Sequence, residues 1–278
     1  MTEPFRVAGV QMDVEIGQPR ANCERIEAFL AETAVEDVSL TVFPECSISG
    51  YCFEDLDEAK EVAEPIGGPS TERLVAACAK HGSHAIVGLL ERQGDEVYNS
   101  CCLLGPQGVV ATYRKTHLPH LGIDRFTTPG EGPFECHEIR DIKVGMHICY
   151  DARFPEVCRA LALSGSDLVV LPTNWPAESV NTSGVLPAAR SFENKVYFLA
   201  VNRIGHERGT HFPGRSIFCD PWGNTLARAE EDREEILIAE VDPAKAREKN
   251  LVRRPGTYEL HLFNDRRPDL YGALTKED

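Results

Sequence analysis

Three side chains with complementary chemistry stand where apolar, strand-like runs of the sequence end. Glu45 follows LTVFP, Lys115 follows VVATYR, and Cys149 follows VGMHI. In layered α/β folds, ligand sites lie beyond the carboxyl ends of strands, where loops are free to carry function. We therefore expect the carboxylate, the ammonium and the thiol to meet on one rim of the fold.

Together these three groups could perform nucleophilic catalysis. A free thiol has a pKa near ~8.5 and is mostly protonated at neutral pH. A carboxylate such as Glu45 could take its proton during attack. The ammonium of Lys115 could stabilise the thiolate and then the oxyanion of a tetrahedral intermediate, and the backbone N–H of Tyr150 is a natural second donor. In the plainer alternative, Glu45 caps a turn, Lys115 is a surface charge and Cys149 packs in the core.

The composition is that of an ordinary globular protein with a strong negative charge. Of 278 residues, 42% are hydrophobic and 26% are charged, and 44 acidic against 29 basic residues give a formal net charge of −15. A field of that sign repels nucleic acid and anionic membranes. No apolar run approaches the roughly 20 residues of a membrane helix, and the start MTEPFRVAGVQM does not resemble a signal peptide. These features predict a cytoplasmic protein that binds neither nucleic acid nor membrane.

The ten cysteines match no metal-binding or redox template. There is no C-x-x-C motif, Cys101 and Cys102 are adjacent, and His117 and His120 lack the partners of a metal site. Without a secretory signal, reduced thiols are expected, and we interpret most of them as small core residues. We predict no metal and no organic cofactor.

Strands that alternate with helices predict an α/β fold in a single domain. The strand-like runs are residues 6–10, 38–43, 85–89, 98–104, 109–113, 144–148, 167–171, 196–201, 215–218 and 235–241. Helical patterns cover residues 22–34, 70–81, 155–164 and 187–194. No linker-like stretch or composition shift divides the chain. We place the domain at residues 1–250 and a C-terminal tail at 251–278, where Arg-Pro segments indicate extended backbone.

Three segments around the candidate residues resemble the signature segments of the carbon–nitrogen hydrolase (nitrilase) superfamily. They are VFPECSISGY at 42–51, YRKTHLP at 113–119 and ICYDARFPE at 148–156, in the family's order and at its usual separations. Further matches are LPTNWP at 171–176, RSFEN at 190–194, VNR at 201–203 and GRSIFCDPWG at 214–223. The resemblance covers roughly residues 5–242, and three separate motifs in order make it specific.

The resemblance implies a fold, a triad and an assembly. The fold would be a four-layer α-β-β-α sandwich, and the catalytic triad would be Glu45, Lys115 and Cys149. Members of the family usually pair through their helices, and the C-terminal tail often reaches the partner. A homodimer or a larger even assembly is therefore expected, with the tail packing on a partner subunit.

The substrate pocket is predicted from the same matched segments. The motif that contains Asn174 and Trp175 usually lines the pocket in this family, with Asn174 orienting that wall. Tyr51 and Phe53 follow Glu45 closely and could form an apolar wall. The polar residues of RSFEN are interpreted as a brace for the core from a helix.

Asp124 stands where most family members carry a second glutamate between the lysine and the cysteine. Counting back six residues from Gly130 reaches it, in the segment HLGIDRF. An aspartate keeps the carboxylate but is one methylene shorter. Either it hydrogen-bonds Lys115 or the substrate nitrogen, or it is a loop residue paired with Arg125 or with nearby backbone N–H groups.

The resemblance and the chemistry together predict a hydrolase that cleaves the non-peptide carbon–nitrogen bond of a small amide. The reaction would pass through a thioester on Cys149 and release a carboxylate and ammonia or an amine. An N-carbamoyl amino acid or ureido acid amidohydrolase would use the same triad. So would a nitrilase, which is less favoured because many nitrilases have tryptophan where this chain has Tyr150. The competing class is an inactive scaffold of the same fold, although all three triad members are present.

Overall fold

Two mixed β-sheets form the centre of the molecule. The structure, a computed structural model, describes residues 5–276, without the side chain of Val180. The strands of that part of the chain are β1 (Phe5–Gln11), β2 (Val38–Val42), β3 (His84–Gln93), β4 (Glu96–Gly105), β5 (Gly108–Arg114), β6 (Cys136–Ile139), β7 (Ile142–Met146), β8 (Leu168–Thr173), β9 (Tyr197–Asn202), β10 (Ile204–Glu207), β11 (Thr210–Pro213), β12 (Ile217–Cys219), β13 (Thr225–Arg228), β14 (Glu235–Val241), β15 (Asn250–Arg254) and β16 (Tyr258–His261). The α-helices there are α1 (Pro19–Val35), α2 (Leu56–Lys60), α3 (Pro69–His81), α4 (Pro155–Leu163), α5 (Val180–Asn194) and α6 (Pro243–Arg247).

Both sheets follow the same plan, in which parallel strands are extended by antiparallel ones. The first sheet has the order β14–β1–β2–β3–β4–β5, and β1, β2 and β3 run parallel to one another. The second has the order β13–β12–β9–β8–β7–β6, and β7, β8 and β9 run parallel. β10 pairs with β11, and β15 with β16, in separate hairpins. Since β2 and β5 belong to the first sheet and β7 to the second, the predicted site draws on both sheets.

The two sheets pack face to face around a shared apolar core. Buried Val7 and Leu103 of the first sheet belong to one cluster with Val169 and Leu199 of the second. At Gly9 the approach is so close that a Cβ atom would lie 2.9 Å from Leu199 Cδ1. A larger residue there would have to displace the second sheet, because protein interiors leave little free space.

Helices cover the outer face of each sheet. α1 and α3 bury Ile26, Leu30 and Leu74 against the first sheet. α4 buries Val157 and Leu161 against the second sheet and lies beside α5. The predicted four-layer α-β-β-α sandwich is therefore confirmed. Among the described residues, every helix is too short or too polar to cross a membrane.

Alternate side chains of β4 pack on opposite faces of the first sheet, one between the two sheets and the other under the helices. Cys101 and Leu103 face the other sheet, whereas Cys102 and Leu104 face the helices. The two adjacent cysteines thus point into opposite layers. All ten cysteines of the chain are free, and eight of them are buried, which supports their interpretation as small core residues.

α5 begins earlier than the sequence pattern predicts. We expected a helix over residues 187–194, but α5 starts at Val180 and carries Pro187 in its interior. Proline is disfavoured inside a helix because it lacks an N–H donor, and that bias placed the predicted start too late. The predicted end is correct, since Asn194 is the last helical residue.

The C-terminal tail contains a hairpin rather than extended chain alone. β15 and β16 pair antiparallel from Asn250 to His261, and their apolar residues Val252 and Tyr258 are 50% and 46% exposed. Phe263 touches α4, where the Arg159 guanidinium lies 5.2 Å from its ring centre. The division into a domain and a tail at residue 250 stays a prediction.

Candidate active site

Glu45 is positioned by a tight turn that follows β2. The turn packs on Gly88 of β3, where a Cβ atom would lie only 2.3 Å from the Cys46 nitrogen. Cys46 itself has a φ of 49°, and the Ile48 N–H donates to the Gly88 carbonyl at 3.0 Å. Glu45 is completely buried as a result.

Lys115 is held by its own backbone at the end of β5. Its N–H donates to the Asn99 carbonyl of β4 at 2.8 Å, and its carbonyl accepts from the Gly130 N–H at 2.8 Å. The side chain is thereby directed inward and is 1% exposed. A buried ammonium is tolerated only when it is paired. The groups that pair with Lys115 therefore determine whether it keeps its charge.

Those partners are two carboxylates that share Lys115 between them. Lys115 Nζ donates to Glu45 Oε1 at 2.7 Å and to Asp124 Oδ2 at 2.6 Å. Asn99 Nδ2 bridges the same two groups, at 2.7 Å from Glu45 Oε1 and 2.9 Å from Asp124 Oδ1. The Tyr51 hydroxyl also donates to Asp124 Oδ2, at 2.7 Å. One connected network therefore holds the cation and both acids.

Cys149 opens a short 3-10 turn, Cys149–Arg153, just beyond β7. Its φ of 44° lies in the left-handed region, which costs a non-glycine residue of order 1–3 kcal/mol and is found most often at functional sites. The residue is 6% exposed. α5 braces the turn from behind, where Arg190 Nε donates to the Ala152 carbonyl at 3.0 Å, in agreement with the predicted bracing role of this segment.

Asp151 ties the Cys149 turn to the Lys115 segment. Its carboxylate accepts from the Ile148 N–H at 3.0 Å and from the Tyr113 hydroxyl at 2.8 Å. It also accepts from Thr116 and, at 3.0 Å, from the His117 N–H. Burial alone would raise the pKa of Asp151, but the hydrogen bonds from His117 and Ile148 outweigh it and the pKa is lowered.

The electrostatics of the network follow from burial and pairing. Burial raises the pKa of Glu45; Lys115 opposes this, Asp124 adds to it, and the net direction is upward. Burial would lower the pKa of Lys115, but Asp124 and Glu45 outweigh it and hold that pKa well above its usual range. Lys115 is therefore a permanent cation at neutral pH.

Cys149 rests as a thiol. Burial raises its pKa, and the nearby charge of Glu45 raises it further. Lys115, the Thr173 hydroxyl and the Asn174 N–H act in the opposite direction without cancelling the rise. An attack by this sulfur consequently needs a base that removes the proton, and Glu45 is close enough to influence it.

The residues predicted to line the pocket have different surroundings. Trp175 is 6% exposed, and Asn202 fixes its backbone by accepting from its N–H at 2.8 Å and donating to its carbonyl at 3.1 Å. Asn174 is buried, and neither its side-chain oxygen nor its nitrogen has a hydrogen-bond partner in residues 5–276. Tyr51 and Phe53 are both buried in an apolar cluster that also contains Cys46, the residue after Glu45. Tyr51 thus contacts Asp124 by its hydroxyl in addition to forming apolar contacts.

Tyr150, the predicted second oxyanion donor, directly follows Cys149 in the turn. Its side chain is 36% exposed and packs edge-on against Phe154 at 5.3 Å between ring centres. His117 stacks on Phe154 at 3.9 Å between ring centres and shares a hydrogen bond with Asp151. No group of three or more His, Cys, Asp or Glu side chains within residues 5–276 is arranged to hold a metal ion.

Sequence reasoning missed Asn99, Asp151 and Asn202. Asn99 is a buried polar residue within the apolar run of β4, and Asp151 falls two residues after the candidate nucleophile. A buried polar residue must find hydrogen bonds, so each of them could have been singled out. What the pattern lacks is the identity of the partner.

Comparison with known proteins settles the family. A family model described as carbon-nitrogen hydrolase matches residues 6–250. The chain belongs to this superfamily. The resemblance inferred from the three segments is thereby confirmed, and the match covers the elements that carry all the site residues described above.

Relatives in the superfamily carry more than one kind of name. A protein named nitrilase from Pyrococcus abyssi is 35% identical over 274 residues, which are 96% of this chain and 98% of that protein. The 2-oxoglutaramate amidase of Bacillus subtilis is 31% identical, over 96% of this chain and 99% of its own length.

A solved structure has the same fold. The amidase from Nesterenkonia sp. AN1, in a mutant form with the acetamide moiety of fluoroacetamide covalently added at its active-site cysteine, superposes with a TM-score of 0.80. It is 22% identical and covers 97% of each chain.

Proposed function

We propose that this protein hydrolyses the carbon–nitrogen bond of a small amide, with Cys149 as the nucleophile, Glu45 as the general base and acid, and Lys115 as the oxyanion donor. The observation that carries the proposal is the arrangement at Glu45. Its Oε1 accepts from Lys115 and Asn99 at 2.7 Å each, whereas its Oε2 is buried and has no partner in the described residues. One oxygen is fixed in place, and the other is left to exchange a proton.

In the acylation half, Glu45 Oε2 takes the thiol proton of Cys149 as the sulfur attacks the carbonyl carbon. A carbon–sulfur bond forms, and the carbonyl electron pair moves to oxygen. Lys115 Nζ and the Tyr150 N–H donate to that oxyanion. When the intermediate collapses, the carbon–nitrogen bond breaks, Glu45 returns its proton to the departing nitrogen, and a thioester remains.

In the deacylation half, a water molecule replaces the departed ammonia or amine. Glu45 takes a proton from the water, whose oxygen attacks the thioester carbon. The carbon–sulfur bond then breaks, the carboxylic acid leaves, and the proton on Glu45 returns to the Cys149 sulfur. Atoms and charges balance over the cycle, and every proton passes through one carboxylate oxygen.

Asp124 has a supporting part in this proposal. It hydrogen-bonds Lys115, as the first of the two sequence interpretations expects, and its Oδ atoms also accept from Tyr51 and Asn99. A second carboxylate keeps Lys115 charged while Glu45 is transiently protonated. The network thus retains a cation at the oxyanion position in every step.

A small primary amide is the substrate class that we favour. Amidases are among the relatives of this chain, and the solved structure with the same fold is an amidase. A nitrile is the second candidate, because the relative at 35% identity is named a nitrilase. N-carbamoyl amino acids are the third candidate class, because the same triad could cleave their carbon–nitrogen bond.

The test is ammonia release across a matched panel of small primary amides, N-carbamoyl amino acids and nitriles. The proposal expects the amide series to be hydrolysed with the highest kcat/KM. A higher kcat/KM for nitriles or carbamoyl compounds would contradict the amide as the substrate class but would leave the assignment of the triad intact. Absence of ammonia from all three classes would favour the inactive scaffold.

We also propose that the protein assembles as a homodimer or a larger even oligomer. Val185 and Phe192 of α5 are 62% and 55% exposed, and Leu270 and Leu274 of the tail are 66% and 63% exposed. The tail lies beside the helices, since Arg159 and Leu274 line one groove of about 530 Å³. Exposed apolar residues that lie on neighbouring elements are typical of protein interfaces.

A further inference from the structure

Thr173 is the last residue of β8, the strand next to the one that leads to Cys149. β7 and β8 are parallel, and Val144, Gly145 and Met146 pair with Leu168, Val169 and Val170. The chain leaves the strand after Met146, and the turn that opens at Cys149 contacts β8. The carboxyl end of β8, with Thr173 and the following Asn174, therefore lies next to the turn that carries the candidate nucleophile.

The Thr173 hydroxyl is buried and has no established hydrogen bond. Thr173 is 0% exposed, and its Oγ1 has no hydrogen-bond partner in residues 5–276. A buried hydroxyl left alone costs free energy. A strand residue that only filled space here could be valine at lower cost, because valine has the same shape and no polar atom.

The Cys149 sulfur is the group that the hydroxyl can serve. The Thr173 hydroxyl and the Asn174 N–H lie close enough to the Cys149 sulfur to lower the pKa of its thiol, although the hydroxyl forms no full hydrogen bond in the resting state. Sulfur in a thiol is a weak acceptor, whereas a thiolate is a strong one. A bond that is hardly formed in the resting state would therefore strengthen as the proton leaves.

We propose that Thr173 is a positioning residue whose hydroxyl, together with the Asn174 N–H, donates to the Cys149 sulfur as it becomes negatively charged. The inference rests on the assignment of Cys149 as the nucleophile in the proposed function. Lys115 favours the thiolate only through its charge, because its hydrogen bonds go to two carboxylates and, in the reaction, to the substrate oxygen. The hydroxyl serves the sulfur instead.

The two half-reactions should depend on Thr173 unequally. In acylation the sulfur passes from thiol to thiolate, so the hydroxyl bond gains strength and helps the attack. In the thioester the sulfur is neutral, and it becomes negative again only as water displaces it. Loss of the hydroxyl should accordingly slow formation of the thioester more than its attack by water.

The experiment measures alkylation of Cys149 by iodoacetamide against pH in Thr173→Val, Thr173→Ser and the unaltered protein, followed on the Cys149 peptide by mass spectrometry. Below the pKa of the thiol, the rate is proportional to the thiolate fraction. Thr173→Val should react roughly tenfold more slowly at each pH, because a hydrogen bond to a charged group contributes about one pKa unit. Thr173→Ser should restore the rate.

Thr41→Val is the matched control, since it also removes a buried hydroxyl, one that bonds Thr33 at 2.9 Å, and should leave alkylation unchanged. If Thr173→Val proves unstable in a thermal melt, Thr173→Ala takes its place with the same expected displacement. A Thr173 variant without the hydroxyl that reacts at the unaltered rate overturns the inference, and so does an equal loss in Thr41→Val. Alkylation needs no substrate, so absent ammonia release would count against the proposed function alone.

Discussion

At the scale of single residues, Glu45 differs from a glutamine of the same size in one property, which is that its carboxylate can accept a proton. Glu45→Gln keeps the shape of the side chain and an oxygen for Lys115 and Asn99, but its amide cannot accept a proton. Both half-reactions need that acceptor, so kcat/KM for the best amide should fall by roughly 100-fold or more.

Glu91→Gln is the matched control for this variant. Glu91 is another buried carboxylate, 4% exposed and paired with Arg114, but it lies outside the Lys115 network. Its replacement should leave kcat/KM close to the unaltered value. A Glu45→Gln enzyme that keeps more than about a tenth of the activity would mean that another group is the base.

Asp124 tests whether the second carboxylate takes part. Asp124→Asn keeps the shape but removes one of the two negative charges that hold the Lys115 pKa up. We expect kcat to fall about tenfold and the alkaline limb of its pH profile to move to lower pH. Asp124→Glu should retain partial activity, because it restores a carboxylate in a space shaped for a shorter side chain.

Asp167→Asn provides the comparison, because Asp167 is buried and pairs with Arg247 away from the site. It should alter stability without moving the pH profile. Should Asp124→Asn turn over at the unaltered rate with the unaltered profile, Asp124 would be a structural loop residue only.

At the scale of elements, the residue that follows β7 is a buried histidine, His147, which couples stability to pH. Burial lowers the pKa of His147 from its usual 6.5 to about 4, and neither ring nitrogen has a hydrogen-bond partner in the described residues. Between these two pH values the unfolded chain binds a proton that the folded chain does not. Stability is therefore lost as pH falls from about 6.5 to about 4.

His147→Leu should remove this loss. The unaltered protein should lose up to about 3 kcal/mol of unfolding free energy over that pH range from His147, and the variant should lose correspondingly less in urea titrations at pH 7 and pH 4. His84 and His137, whose pKa values burial also lowers, remain in both proteins and contribute equally. Parallel pH dependence of the two proteins would contradict the prediction.

The elements also show what a sequence can and cannot predict here. The ends of β2, β5 and β7 were predictable because each apolar run stops at a charged or nucleophilic residue. Five strands of only four residues each were missed, because a period of two cannot be recognised over so short a span. They are β6, β10, β11, β13 and β16.

Long-range pairing set a second limit on prediction. Asn99 bonds a carboxylate 54 residues away, and Asp151 bonds a tyrosine 38 residues away. Nothing local to either residue specifies that partner. The candidate nucleophile, base and ammonium could be predicted, whereas the hydrogen bonds that orient them required the fold.

At the scale of the whole molecule, the proposed assembly makes a direct prediction. Light scattering coupled to sizing should give at least twice the 30.8 kDa of one chain. Phe192→Lys should weaken the assembly, because a charge on that apolar helix face opposes burial. Val35→Lys, at an 80% exposed position on α1, is the control and should not. A fully active monomer at micromolar concentration would contradict the proposal.

The most direct test of the central claim is ammonia release by Cys149→Ala, measured on the best amide of the panel beside a thermal melt. Removal of the sulfur leaves no atom to form the thioester, so turnover should disappear while the melting temperature stays close to the unaltered value. Cys219→Ala, which alters a buried cysteine outside the site, should remain active. Activity in a folded Cys149→Ala protein above a few per cent of the unaltered rate would show that Cys149 is not the nucleophile.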